Sequence, residues 1–125
     1  MRLHVLASGS KGNAAIVENM ATGDGLLIDC GICKRDFLSR CDEAGFDPHQ
    51  LRGVLITHEH TDHTRGLGVV YRALAKLDVH PTVYVSDAVR DASRDIGELL
   101  EQGLCDAHAF ASGDELDFAG FAIHT

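Results

Sequence analysis

The run Val54-Leu55-Ile56-Thr57-His58-Glu59-His60-Thr61-Asp62-His63 constrains this chain more than any other stretch. Its first four residues are apolar or β-branched, which reads as a buried strand. Three histidines and an aspartate follow within six residues. A strand that runs straight into a short loop holds the backbone stiff enough to aim those side chains at one point. The spacing excludes a zincin helix, which needs His-Glu-x-x-His with its histidines at i and i+4. His58 and His60 stand at i and i+2, which puts two side chains on the same side of an extended segment. Asp62 and His63 come next, at the turn into a following helix, and suit a second, neighbouring cation. Neutral imidazole binds Zn²⁺, Mn²⁺ or Fe²⁺, and a carboxylate hardens the site. Two such ions about 3.5–4 Å apart can bridge a hydroxide at neutral pH and clamp the oxygens of a displacement. The expectation is half of a two-metal hydrolytic site.

The rest of the chain supplies a scaffold for that loop. At 125 residues it fits one domain with a real core. Strands are predicted at Leu3–Ala7, Ala14–Glu18, Leu26–Ile28, Val54–Thr57, Thr82–Val85, Ala107–Phe110, Glu115–Phe118 and Phe121–Thr125. A helix from about Cys33 to Ala44 buries Phe37, Leu38, Cys41 and Ala44, with Gly45 as its C-cap. A second, Leu67 to Leu77, carries the stripe Leu67, Val70, Leu74 and Leu77. A third, capped by Ser86 or Asp87, carries Val89, Ala92, Ile96 and Leu99. Strands come first, then strand and helix alternate, so the fold class is α/β: helices packed on a mixed sheet. No apolar run approaches the roughly 20 residues of a membrane span. The start, Met1 to Ala7, is too short for a signal peptide, so a cytoplasmic protein with no membrane partner is expected. The four cysteines then read as thiols rather than a disulfide frame. The formal charge of −8 argues against broad adhesion to nucleic acid, although bound divalent ions would offset part of it.

With those residues in view, the chain resembles the metallo-β-lactamase superfamily. His58-Glu59-His60-Thr61-Asp62-His63 matches its H-x-H-x-D-H signature. Leu6-Ala7-Ser8-Gly9-Ser10-Lys11-Gly12-Asn13, Leu27-Ile28-Asp29-Cys30-Gly31 and Gly66-Leu67-Gly68 are similar to the YycJ/WalJ-like branch, whose members resemble double-stranded DNA 5′→3′ exonucleases. The resemblance implies the N-terminal half of an αββα sandwich, with residues 1–125 as a domain cut short at its C-terminal end. It implies two divalent metals, zinc or manganese with iron as a further candidate. His58 and His60 would hold the first ion, Asp62 and His63 the second, with Asp62 and His63 also in the catalytic role. Asp29 would support the metal loop without ligating. Each ion would lack further ligands, supplied by the remaining half of the domain or a partner chain, so this stretch alone should be weakly active or inactive. The implied function is a phosphodiesterase acting on DNA. Hydrolysis of a small ester, thioester or lactam by the same chemistry is the alternative, and a non-catalytic metal-binding fragment is another.

Other candidates carry less. The Ser8–Asn13 loop reads, from its residues, as a tight connection between antiparallel strands that could also cradle a phosphate on backbone N–H groups. The resemblance puts it at the rim of the site, where Ser8, Ser10 and Asn13 would contact substrate. Cys30 and Cys33 form a C-x-x-C with no second pair, so both thiols are expected to pack as small apolar groups. His4, His49, His80, His108 and His124 are scattered singly and read as surface or satisfied core. Arg65 reads as a solvated residue at a helix start. Gly66-Leu67-Gly68 is a lone GxG that reads as letting the helix start pack close beneath the metal loop.

Overall fold

Apolar alternation on the early strands and amphipathic stripes on the helices sort this chain into a sheet with a helical cover. The computed structural model describes residues 2–9, 12–58, 61–110, 115–118 and 121–124, with the backbone alone at 61, 62 and from 115 onward. Strands β1 (Arg2–Ala7), β2 (Ala14–Glu18) and β3 (Gly25–Ile28) form an antiparallel meander. From β3 the chain alternates: helix α1 (Lys34–Ala44), strand β4 (Leu51–Leu55), helices α2 (Thr61–Thr64) and α3 (Leu67–Lys76), strand β5 (Thr82–Ser86), helices α4 (Asp87–Ala92) and α5 (Arg94–Glu101), and strand β6 (Ala107–Phe110). The sheet runs β1-β2-β3-β4-β5-β6, and β3 through β6 are parallel, as strands joined by helical crossovers are. Strands β7 (Glu115–Phe118) and β8 (Phe121–His124) pair as a separate antiparallel hairpin.

Register separates the two faces of the sheet. Ile16, Leu27, Val54 and Val83 pair in one row across β2 to β5, and each is fully buried. They share one core with Phe37 and Cys41 of α1, Leu67, Val70 and Leu74 of α3, and Ile96 and Leu99 of α5. The neighbouring row points the other way. It runs Val5, Ala15, Ile28, Leu55 and Tyr84, ending at His108. Its apolar members are half-buried or exposed, and Val5 keeps 63% of its surface.

Some boundaries differ from expectation. The strand expected at Val54–Thr57 is Leu51–Leu55, because Leu51 already pairs with Gly25 while Thr57 turns its N–H to a carboxylate instead of a strand. The third expected helix is two, broken at Ser93, and Ala92 is exposed. Leu77 caps α3 from outside the core at 40% exposure. Cys33 is exposed at the N-cap of α1 rather than packed, whereas Gly45 takes the left-handed C-cap that its position predicts. Ser10, Lys11, Glu59, His60, the turns at Gly113-Asp114 and Gly120, and Thr125 lie outside the described residues. No helix among the described residues is long and apolar enough to cross a membrane.

Candidate metal centre

The parallel pairing of β3 with β4 brings the ends of both strands to one edge, so Asp29 lies beside Thr57 and His58 although they are far apart in sequence. Asp29 continues the ladder through its N–H, which donates to the Leu55 carbonyl at 2.8 Å. It then adopts a left-handed φ of 60°, a conformation that Asp tolerates better than most residues with a Cβ. Its side chain is buried and fully used. Oδ1 accepts the Thr57 backbone N–H at 2.8 Å. Oδ2 accepts the Thr57 hydroxyl at 2.6 Å and His63 Nδ1 at 2.7 Å.

The backbone after Asp29 ties the same two segments together. Cys30 N–H donates to the His63 carbonyl at 2.7 Å, and Gly66 N–H to the Cys30 carbonyl at 2.9 Å. Arg65 Nε donates to the Gly31 carbonyl at 2.8 Å, so this exposed arginine is anchored rather than merely solvated. A Cβ on Gly66 would run into the Ile32 carbonyl, which is why a glycine stands there. Helix α2, with the signature's last residues, is thus clamped onto the loop that follows β3.

His58 and His63 come together, their ring centroids 4.7 Å apart and tilted by 42°. A carboxylate accepting from His63 Nδ1 keeps the proton on that nitrogen and would leave metal ligation to Nε2, the arrangement by which proteins orient and strengthen a histidine ligand. His58 Nδ1 is likewise engaged, at 2.9 Å from the Thr57 hydroxyl. Two adjacent imidazoles, each held by Nδ1, fit a divalent cation. Cys30 is fully buried in the core, and burial pushes its thiol up to about 12.

Of the four residues read as ligands, the structure therefore brings together His58 and His63. His60 lies outside the described residues, and Asp62 is placed by its backbone in α2 without its side chain. Among the described residues no group of three His, Cys, Asp or Glu side chains is poised around one point. Asp29 stands behind the histidines as a support. Ser8 is exposed, and Ser10 lies outside the described residues. The Asn13 side chain closes its own loop, accepting from Gly9 N–H at 3.1 Å and donating to the Gly9 carbonyl at 2.9 Å. Its backbone carbonyl takes the Gly31 N–H at 2.9 Å, which seats this loop against the segment behind the histidines. Thr57 is the residue that sequence reasoning passed over. Its signal was a hydroxyl lodged between an apolar strand and the first histidine.

The sequence matches the family described as Anti-Pycsar protein Apyc1 over residues 7–111. It is 41% identical over 68 residues to exodeoxyribonuclease WalJ of Streptococcus pneumoniae, a match covering 54% of this chain and 24% of that protein. It is 40% identical over 74 residues to exodeoxyribonuclease YycJ of Bacillus anthracis, covering 58% of this chain and 27% of that one. The chain thus spans about a quarter of the length of these curated relatives. Among solved structures, the metallo-β-lactamase fold protein YhfI from Bacillus subtilis superposes with a TM-score of 0.70 at 20% identity, over 98% of this chain and 50% of that one. The fold is the metallo-β-lactamase fold.

Proposed function

The chain belongs to the family of the anti-Pycsar protein Apyc1, and from there we propose that it carries one half of the site of a metal-dependent phosphodiesterase acting on DNA, 5′→3′ exonuclease-like. The observation that carries the proposal is the clasp of Asp29 on Thr57 and His63, which holds the H-x-H-x-D-H loop from behind. DNA enters through the relatives, since two proteins 40 and 41% identical are named exodeoxyribonucleases. His58 and His60 would hold one divalent ion, Asp62 and His63 the other, with zinc or manganese favoured by imidazole and carboxylate donors and iron also suited. When bound, the ions supply Lewis acidity and lower the pKa of water toward neutrality.

The chain's own residues position everything else. Asp29 orients His63, and the bonds from Cys30, Arg65 and Gly66 hold α2 against the loop behind it. The ions would also bring positive charge to a chain whose formal charge is −8, which by itself repels a phosphate backbone. Each ion would need further ligands from the remaining half of the domain or a partner chain. The half-exposed apolar row from Val5 to Tyr84 supports a second layer on that side of the sheet.

The test is an assay of this chain continued to the length of its relatives, on linear double-stranded DNA with Mn²⁺ or Zn²⁺, beside generic thioester and lactam substrates. We expect metal-dependent loss of DNA from 5′ ends, no turnover of the small substrates, and loss of activity in Asp62→Ala. The 125-residue stretch alone is expected to be weakly active or inactive. Thioester or lactam turnover without DNA cleavage would transfer the chain to the small-molecule reading. Metal uptake with no turnover of any substrate would leave a binding module.

A further inference from the structure

We propose that Thr57 is a positioning residue: its hydroxyl passes the Asp29 carboxylate on to His58, so that one carboxylate sets the tautomer of both imidazoles. A hydroxyl has a single hydrogen to give, and a carboxylate can only accept. The Thr57 oxygen lies 2.6 Å from Asp29 Oδ2, the range of an O–H···O⁻ bond, and two oxygens that close repel unless a hydrogen lies between them. The Thr57 hydrogen is therefore committed to Asp29. Toward His58 Nδ1, 2.9 Å away, the hydroxyl can then only accept, so Nδ1 carries the proton. His63 Nδ1 donates directly to the same Oδ2 at 2.7 Å. Both rings thus hold their proton on Nδ1 and present Nε2 as the basic nitrogen. A histidine free in water prefers the opposite tautomer, with the proton on Nε2, so the chain of bonds has a measurable consequence.

Threonine suits this place because its backbone serves the same partner. Its N–H donates to Oδ1 while its hydroxyl donates to Oδ2, so the residue grips both oxygens of one carboxylate. A valine would keep the shape and the N–H bond but lose the relay, and a serine would keep the relay. The consequence for a cation rests on the reading of His58 and His63 as ligands; the tautomer itself does not.

Long-range nitrogen–proton correlation spectra of the isotope-labelled, metal-free chain, recorded at alkaline pH, read the tautomers directly. Both rings are expected to carry the proton on Nδ1. Thr57→Val should turn His58 alone to the Nε2–H form, and Thr57→Ser should restore it. Zinc titration of the chain continued to the length of its relatives, with a competing chelator, should show affinity about 10–100-fold weaker in Thr57→Val, regained in Thr57→Ser. An Nε2–H tautomer at His58 in the unmodified chain overturns the relay without any variant having to fold. So does an Nδ1–H tautomer that survives in Thr57→Val. If the tautomers move as expected and no variant or parent binds zinc, the relay stands and the metal reading of the site falls.

Discussion

Asp29 combines three roles that a strand-end aspartate does not announce: a left-handed backbone, near-complete burial at 5% exposure, and acceptance of three hydrogen bonds from the metal-loop side. The spacing of His58 and His63 marked them as neighbouring candidate ligands, and the structure sets their rings side by side. The support from Asp29 came through the resemblance alone and Thr57 was passed over, because residues 29 and 57 meet only through the parallel pairing of β3 with β4, a long-range fact that local pattern does not encode. Gly66 lies between these cases. Its proximity to the loop was readable, and its severity appears only in space, where an added Cβ would collide with the backbone at Ile32 rather than with a side chain that could swing away. Gly66→Ala is therefore expected to cost about 1–3 kcal/mol or more. Urea unfolding should show a lower midpoint at unchanged slope. An unshifted midpoint would mean that α3 does not start as close to Ile32 as the structure has it.

The elements were readable wherever period and punctuation agreed. Leu67, Val70 and Leu74 give α3 its buried stripe, and Gly45 ends α1 in the left-handed conformation that only glycine takes without strain. The break at Ser93 was not readable. A serine inside an amphipathic pattern passes for a solvent-facing helical residue, and Val89, Ile96 and Leu99 satisfy one continuous stripe as well as two shorter ones. In the structure Ser93 is extended and buried, its N–H closing α4 on the Val89 carbonyl while its hydroxyl accepts from Ile96 N–H to open α5. Side-chain oxygen competes here with helix continuation and wins. Ser93→Ala should destabilise the fold by about 1 kcal/mol, the usual worth of an N-cap. Ser93→Asp, which can cap as well, should cost less by the same unfolding measurement. Equal losses in both would point to tight packing around Ser93 rather than to the cap.

Across the whole molecule, one core serves both sheet and helices, and it encloses thiols. Burial pushes Cys30 and Cys41 up to about 12 and Cys105 to about 11, from an ordinary 9.0. The folded state thus favours the neutral thiol. That contribution is complete below 9.0 and is lost as pH rises from there toward 12, since the unfolded chain releases its protons first. Urea midpoints measured through this window should fall, and the fall should shallow when Cys30 and Cys41 are replaced by alanine. An unchanged slope in that double variant would assign the loss to other groups. The row from Val5 through Ile28 and Leu55 to Tyr84 has a different consequence. Greasy side chains there meet water across most of the sheet's width. Exposed oil of this kind invites self-association, so this stretch on its own is expected to be less soluble than its formal charge of −8 suggests.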